Sequence, residues 1–264
     1  MAGYFFENNM DLFEKIHHPV ENEPLASRMR PSSLDEIVGQ NELIGPGKLL
    51  RRAIEADRLT SIILFGPSGC GKTTLAGVIA SVTKRPFEKT SGVLANVAVL
   101  REIIKTAEMR RARTGCSTIL FIDEIHRFNK SQQDVLLPFV ENGVLTLIGA
   151  TTHNPQFFIN GPLISRSLVF ELHPLTDEDI YLLLNRALKS SKGLGKYPVM
   201  AEDEALRHIA SLSEGDARRA LNALEIAVLT TPLNKNDGKI HIDKEVAASS
   251  VQKKMVVYDH DEDG

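Results

Sequence analysis

Short runs of consecutive apolar residues alternate with segments of helical periodicity over the first two thirds of the chain. Strands are predicted at residues 61–65, 118–124, 145–152 and 168–172, with a further short strand around Phe87. Apolar runs of this kind, separated by helices, are typical of a parallel sheet that is buried on both faces. The pattern therefore predicts an α/β domain over residues 25–173.

Apolar residues that recur every three or four positions predict the helices. These helices cover residues 48–59, 74–80, 97–113, 132–142, 177–190, 202–212, 216–229 and 244–252. Ser131 is expected to cap the helix 132–142, and Pro138 is expected to kink or divide it. Since the pattern after residue 173 is helical throughout, residues 174–255 are predicted to form a small all-helical second domain.

The two ends of the chain show little periodic pattern. Residues 1–24 are predicted to be a flexible arm, and a short docking peptide at residues 10–13 is the alternative. Residues 256–264 are acidic and are predicted to be disordered. His17 and His18 have no partners at metal-ligand spacing, so no zinc site is predicted.

A phosphate-binding motif, G-x-x-x-x-G-K-T, follows the first predicted strand and opens the next helix, which is the context that the motif requires. It consists of Gly66, Pro67, Ser68, Gly69, Cys70, Gly71, Lys72 and Thr73, with Thr74 next in the helix. The glycines let backbone N–H groups surround an anion, and the helix N-terminus adds partial positive charge. Lys72 is predicted to reach the terminal phosphates and Thr73 to ligate Mg²⁺. The alternative, a chance glycine-rich turn, is disfavoured by the flanking strand and helix.

Two carboxylates, Asp123 and Glu124, end the predicted strand 118–124. Ligands of open α/β sheets bind at the carboxyl ends of the strands. Asp123 is therefore predicted to hold Mg²⁺, and Glu124 to orient and deprotonate the attacking water. The alternative is a pair of solvated carboxylates without a catalytic role.

A polar residue, Asn154, follows the predicted strand 145–152 and precedes Pro155. At that edge of the sheet it is a candidate to contact the terminal phosphate or the attacking water. Its alternative is an Asx turn before the proline, and the two roles are compatible.

Composition adds little bias. Of the 264 residues, 42% are hydrophobic and 25% are charged, with a net charge of -3. Any nucleic-acid contact must therefore be a local patch. One candidate patch is Arg110, Arg111 and Arg113, although arginines at a helix end also complement the helix dipole.

Cys70 lies inside the phosphate loop, so a structural disulfide with Cys116 is not expected, and a reducing compartment fits better. No apolar run approaches the roughly 20 residues that span a bilayer, and the N-terminus lacks a signal-peptide pattern. We therefore expect a cytoplasmic protein without a membrane partner.

The motifs together resemble the clamp-loader branch of the AAA+ ATPases, and within it the replication-associated recombination protein A family. The resembling stretches are P-L-A-S-R-M-R-P at 24–31, L-D-E-I-V-G-Q at 34–40, G-P-G-K-L-L-R-R-A-I-E-A-D-R-L-T-S-I-I at 45–63, F-I-D-E-I-H-R-F-N-K-S-Q-Q-D at 121–134, I-G-A-T-T-x-N-P at 148–155 and E-G-D-A-R-R-A-L-N at 214–222. The resemblance implies a P-loop AAA+ ATPase domain followed by a helical lid.

The resemblance also implies roles for individual residues. Asn154 would be the sensor-1 residue, and Arg218 the sensor-2 residue that reports from the lid to the γ-phosphate. Arg166 would be an arginine finger that acts on the nucleotide of a neighbouring subunit. Ile37 and Val38 would flank the adenine. ATP and Mg²⁺ are the implied cofactors.

Three departures from the family pattern stand out. Ser68 and Cys70 replace an expected Pro and Thr in the phosphate loop, and His153 replaces an expected Glu. Because helix N-termini lower the pKa of thiols, Cys70 is expected to make the site sensitive to oxidation. The chain also stops where the C-terminal oligomerisation region of the family should begin, which predicts either a fragment or a short form with impaired assembly.

The function implied by the resemblance is Mg²⁺-dependent ATP hydrolysis coupled to action on DNA in replication-fork maintenance, repair and recombination. One alternative is a RuvB-like branch-migration motor, which is disfavoured by Asn154-Pro155, where an arginine would be expected, and by the lack of a winged-helix end. Another is an ATP-gated module with little turnover that binds DNA, single-strand-binding protein or a sliding clamp. A homo-oligomer is expected for the family.

Overall fold

The computed structural model describes residues 23–251. Five parallel strands form one sheet in the order β2-β3-β4-β1-β5. They are β1 (Ser61–Phe65), β2 (Phe87–Ser91), β3 (Thr118–Asp123), β4 (Leu145–Thr151) and β5 (Ser167–Glu171). The α/β prediction is therefore confirmed. The predictions for the docking peptide, the paired histidines, the acidic tail and all but the last two residues of the N-terminal arm lie outside the described residues.

The apolar runs form the centre of this sheet because they are covered on both faces. Every residue of β4 is buried, and so is β3 up to Asp123, whereas the edge strands β2 and β5 are partly exposed. On one face the sheet packs against α3 (Leu49–Glu55) and α4 (Lys72–Thr83). On the other it packs against α5 (Val97–Thr114) and α6 (Lys130–Glu141). The result is a three-layer arrangement in which one edge of the sheet is lined by all the carboxyl ends of its strands.

The connections contribute several short helices and turns. They are α1 (Leu25–Arg28), α2 (Asn41–Ile44), α7 (Pro155–Phe158) and α8 (Gly161–Ser165), with 3-10 turns at Leu34–Glu36 and Ile125–Arg127. Between Glu23 and Val251, no helix is long and apolar enough to cross a membrane.

Helix α6 differs from its prediction in two ways. It begins at Lys130, and its cap is Asn129, whose side chain accepts a hydrogen bond from the Gln132 N–H at 2.9 Å while Gln132 bonds back to Asn129. The prediction that Ser131 caps this helix is thus wrong, because the reciprocal box sets the start two residues earlier. Pro138 lies inside the helix without dividing it.

The C-terminal region is mainly helical, but a two-stranded sheet within it departs from the prediction that it is all-helical. It contains α9 (Asp177–Lys189), α10 (Asp203–Leu212), α11 (Ala217–Thr230) and α12 (Lys244–Ser250) around a core of its own. Thr176 caps α9 with a capping box, and the Asp243 side chain caps α12. Two strands of three residues each, β6 (Val199–Ala201) and β7 (Ile240–Ile242), also pair in parallel. We call this region the lid.

The first described segment packs on the lid rather than on the sheet. Leu25 has no exposed surface and lies in the lid core. Arg28 pairs with Glu225 at 2.8 Å and donates to the Gly193 carbonyl at 2.8 Å. The sequence predicts that the α/β domain begins at residue 25, whereas α1 packs on the lid. The chain reaches the sheet only after this segment, and it passes the edge that carries the phosphate loop on the way.

Candidate functional site

A cleft of about 950 Å³ opens between the carboxyl edge of the sheet and the lid. It brings together most of the predicted site residues, which are Ile37, Val38, Ser68, Gly69, Cys70, Gly71, Lys72, Thr73, Thr74, Asp123, Glu124 and Arg218. Gly66 and Pro67 form the start of the loop that leads into it. The cleft is therefore built from both parts of the chain.

The phosphate loop is shaped around the Lys72 side chain. Gly66, Gly69 and Gly71 have φ angles of 153°, 71° and 103°, which are readily accessible only to glycine. Lys72 is the first residue of α4, is 9% exposed, and donates to the carbonyls of Gly66 at 2.8 Å and Pro67 at 2.7 Å. Both acceptors are neutral, so no carboxylate offsets the positive charge of the Lys72 ammonium among these contacts. A buried cation held in this way, at the start of a helix, is suited to binding a phosphate.

Thr73 and Asp123 meet across the loop. The Thr73 hydroxyl donates to Asp123 Oδ2 at 3.2 Å, and Asp123 Oδ1 accepts from the Glu124 N–H at 3.1 Å. A hydroxyl and a carboxylate this close to each other can both border one small cation. This donor set fits Mg²⁺, which takes oxygen ligands and is held by few protein groups when it also binds phosphates.

The Glu124 backbone is left-handed, with φ 51°. A β-carbon at Gly92 would lie 2.2 Å from the Glu124 carbonyl, so the loop after β2 can approach this turn only with glycine at that position. The Glu124 carboxylate pairs with Arg127 Nε at 2.7 Å, and the two side chains are 42% and 56% exposed. Glu124 therefore lines the cleft with a carboxylate that is open to water.

The lid rests directly on the phosphate loop. Asp216 caps α11 by accepting from the N–H groups of Arg218 and Arg219, and the Ala217 N–H donates to the Gly69 carbonyl at 3.3 Å. A β-carbon at Gly69 would lie 2.0 Å from the Asp216 carboxylate. The same cap aims the start of α11, and with it Arg218, towards the cleft.

Two residues missed by sequence reasoning join these parts. Gln40 donates to the carbonyls of Cys70 at 3.3 Å and His173 at 2.7 Å, and accepts from the His173 N–H at 3.2 Å. Arg186 of α9 lines the cleft and donates to the Glu36 carbonyl beside Ile37. The L-D-E-I-V-G-Q stretch marks Gln40 by resemblance alone, and nothing in the sequence pattern marks Arg186.

The strand β4 delivers threonines rather than Asn154 to the cleft. Thr151 and Thr152 line it, whereas Asn154 does not. The Asn154 side chain accepts from the Gln156 N–H at 3.0 Å and caps α7, so the predicted turn at the proline is present. Thr152 could have been found from its place at the end of the strand.

A histidine pair packs beside this strand end. His126 and His153 have ring centroids 4.4 Å apart, and both contact Phe158. His126 Nδ1 lies 3.0 Å from the Thr151 hydroxyl. Burial, followed by the neighbouring His153, lowers the pKa of His126 below its usual range. His153, which replaces an expected Glu, thus packs its ring on His126 and so joins the end of β4 to the turn after β3.

Cys70 behaves differently from the expectation. It is 1% exposed, and burial raises the pKa of its thiol even though Lys72 lies nearby and opposes the shift. The prediction that the helix N-terminus activates this thiol is therefore wrong, because removal from water outweighs the local positive charge. Cys70 and Cys116 are both free thiols.

Arg166 lies far from the phosphate loop within this chain. It follows α8 and precedes β5, whose first residue, Ser167, is in register with Ser61, the first residue of β1. It borders a second cleft lined by Ser61 and Leu145, the first residues of β1 and β4. Since the strands are parallel, Arg166 sits at the amino edge of the sheet, opposite the edge that holds the nucleotide-site residues.

Two of the three arginines at the end of α5 are engaged with the chain itself. Arg110 pairs with Glu88, and Arg111 donates to the Asn142 carbonyl. These contacts favour the structural reading of the cluster over a DNA-binding patch.

Two family models match the chain. One describes the Holliday junction DNA helicase RuvB P-loop domain and matches residues 29–160. The other describes an AAA C-terminal domain and matches residues 195–264. Together they cover four of the five strands of the sheet, the phosphate loop and most of the lid, whereas β5 and α9 lie between the two matches.

Curated relatives match over most of this chain. The replication-associated recombination protein A of Bacillus subtilis is 45% identical over 242 residues, which is 91% of this chain and 56% of the relative. The protein of the same name in Escherichia coli is 50% identical over 205 residues, covering 77% of this chain and 46% of the relative. The chain thus spans about half the length of the curated relatives it matches.

Solved structures share the fold. The Thermotoga maritima RuvB Holliday junction branch migration motor has a TM-score of 0.65 and 29% identity, over 84% of this chain and 72% of that chain. A variant of the same RuvB has a TM-score of 0.67 and 30% identity over the same shares.

The contact between Gly69 and Asp216 predicts an effect of Gly69→Ala on both folding and binding. Either the lid moves off the loop or Asp216 gives up its cap, which is worth about 0.5–2 kcal/mol, and the positive φ adds about 1–2 kcal/mol of strain. We expect a lower free energy of unfolding and at least a tenfold loss of ATP affinity, measured by denaturant titration and calorimetry.

Gly77→Ala is the matched control for that substitution. It lies inside α4 with no atom within 4 Å of an added β-carbon. It should leave ATP affinity unchanged and raise stability by up to about 1 kcal/mol through helix propensity. Wild-type ATP affinity and stability in Gly69→Ala would show that the lid does not depend on this contact.

The burial of Cys70 predicts resistance to oxidation. After mild peroxide treatment we expect Cys116, which is exposed, to gain oxygen, while Cys70 does not and ATP binding is unchanged. Peptide mass spectrometry and calorimetry measure the two outcomes. Rapid oxidation of Cys70 with loss of ATP binding would contradict this prediction and support a thiol activated by the helix N-terminus.

Proposed function

This chain belongs to the replication-associated recombination protein A family of AAA+ P-loop ATPases, and from that premise we propose that it binds and hydrolyses MgATP in the cleft between sheet and lid. The observation that carries the proposal is the buried Lys72 ammonium, held by the Gly66 and Pro67 carbonyls and the Cys70 sulfur of the loop, next to the Thr73–Asp123 pair. Lys72 is placed to bind a phosphate, and the adjacent Thr73–Asp123 pair is placed to bind a cation.

The binding step uses groups that are already in position. The loop N–H groups and the N-terminus of α4 receive the phosphates, and Lys72 exchanges its loop carbonyls for phosphate oxygens. Thr73 and Asp123 would hold Mg²⁺, which would neutralise charge on the phosphate oxygens. Ile37 and Val38 flank the base, and Arg186 holds their backbone through the Glu36 carbonyl.

The hydrolytic step falls to Glu124. Its carboxylate orients a water against the γ-phosphate and accepts a proton from it. In the structure this carboxylate is paired with Arg127. Because exposed ion pairs contribute only about 0–1 kcal/mol, the pairing leaves Glu124 free to turn towards the water. Thr152 lines the cleft beside it, and Asn154 supports the same strand end by capping α7.

The lid and a neighbouring chain complete the site. Arg218 reaches the γ-phosphate from the start of α11, so a bound nucleotide holds the lid against the loop on which it already rests. Arg166, at the opposite edge of the sheet, cannot serve the nucleotide of its own chain and is suited to that of a neighbour. An arginine finger of this kind can raise turnover by about 10³–10⁵-fold.

The biological role we infer is the action of this ATPase on DNA in replication-associated recombination and repair, in the cytoplasm. The names of the curated relatives support the role, and the free thiols are consistent with a reducing compartment. We propose that the protein binds forked DNA or single-stranded DNA ends. Single-strand-binding protein or a sliding clamp is the proposed partner that recruits it there. The RuvB likeness supports a second candidate, branch migration of four-way junctions.

ATP hydrolysis as a function of protein concentration tests the proposal. Lys72→Ala should abolish ATP binding, and Glu124→Gln should retain ATP binding while losing hydrolysis. Arg166→Ala should bind ATP normally and lose the rise in specific rate with concentration. Each reaction is run alone, with forked DNA and with a four-way junction.

Stimulation by forked DNA favours the recombination role, and stimulation restricted to the junction favours branch migration. A partner-binding module with little turnover would show ATP-dependent DNA binding in Glu124→Gln and a near-background rate in the unsubstituted chain. Hydrolysis that persists in Lys72→Ala would contradict the assigned site.

A further inference from the structure

Both terminal nitrogens of the Arg166 guanidinium contact groups of its own chain. Nη2 pairs with Glu141 Oε1 at 2.6 Å, and Nη1 donates to the Pro162 carbonyl at 2.9 Å and the Ser165 hydroxyl at 3.1 Å. The two paired side chains are 41% and 42% exposed, so another anion has access to the pair from solvent.

Glu141 occupies an unfavourable position for a carboxylate. It is the last residue of α6, where the helix dipole favours positive charge, and the last turn of α6 contains no basic residue. Within the described part of the chain, the Arg166 side chain is the cation that pairs with it. This placement brings a negative charge to the one arginine that the proposed function requires at the amino edge of the sheet.

Helix α6 holds the segment before Arg166 at both ends. At its start, Gln133 accepts from the Asn160 N–H at 2.7 Å and donates to the Phe158 carbonyl at 2.9 Å. At its end, Glu141 holds Arg166. The start of α6 also follows the turn that carries Glu124, so the helix lies between the hydrolytic carboxylate and the arginine.

We propose that Glu141 is a positioning residue that withholds Arg166 from the nucleotide of a neighbouring chain until the γ-phosphate displaces its carboxylate. The inference rests on the proposed action of Arg166 in trans. If the Arg166 guanidinium stayed paired with Glu141 while it bound the γ-phosphate, the carboxylate and the phosphate would lie close together and repel each other. Since exposed ion pairs are weak, a bound nucleotide that offers several phosphate oxygens can displace the carboxylate.

The ion pair itself is tested in dilute protein, where no neighbour is present. Phenylglyoxal modifies exposed guanidinium groups, and mass spectrometry gives the rate at each arginine. In Glu141→Gln the rate at Arg166 should rise on the order of 2- to 5-fold, the factor expected for loss of an exposed ion pair. Glu178→Gln is the matched control: it removes one of the two carboxylate partners of Arg207 and should change the rate at Arg207 but not at Arg166.

The positioning role is tested by ATP hydrolysis across protein concentration. Glu141→Gln should raise the specific rate at intermediate concentrations by a similar 2- to 5-fold factor without changing the KM for ATP. The double variant Glu141→Gln, Arg166→Ala should match Arg166→Ala alone. This dependence on Arg166 separates a positioning role from a general change in stability.

The outcomes separate the two levels of the proposal. If Glu141→Gln lowers the rate or leaves it unchanged while Arg166→Ala still abolishes the rise, the withholding role is overturned and the trans-acting arginine stands. If Arg166→Ala has no effect at any concentration while Lys72→Ala still abolishes binding, the trans-acting arginine is overturned, and the role of Glu141 falls with it.

Discussion

The common direction of the five strands determines where every functional group lies. Because the sheet is parallel, β1, β3 and β4 all end at one edge, and their last residues deliver the phosphate loop, Asp123 and the β4 threonines to a single cleft. The same direction places Arg166, which precedes β5, at the opposite edge. One geometric constraint thus assembles most of a nucleotide site and separates from it the arginine that would complete the site of another chain.

The second constraint is the seat of the lid on the phosphate loop. Asp216 fixes the start of α11 and packs against Gly69, while Gln40 joins the loop to the strand exit at His173. The first described residues pack on the lid through Leu25, and the chain then crosses the cleft at residues 36–38. Any movement of the lid therefore changes the walls of the cleft, which gives a physical basis for coupling between nucleotide state and lid position.

The features that sequence reasoning found are those that a short stretch of chain determines by itself. The buried strands, the phosphate loop and the carboxylates after β3 each depend on a few consecutive residues. Gln40, Arg186 and the packing of Leu25 depend on contacts between distant segments, so no local pattern marks them. The phosphate-loop motif predicts a lowered pKa for the Cys70 thiol, but burial, which the motif does not reveal, raises it. The strands β6 and β7 are too short to show alternation.

The central claim is that loop and lid form one nucleotide site, and hydrogen exchange with and without MgATP tests it most directly. The account predicts that residues 66–73 and the start of α11 gain protection together, and that Lys72→Ala removes both gains. Protection of the loop without any change at residues 216–219 would contradict the account, because the lid would then take no part in binding the nucleotide.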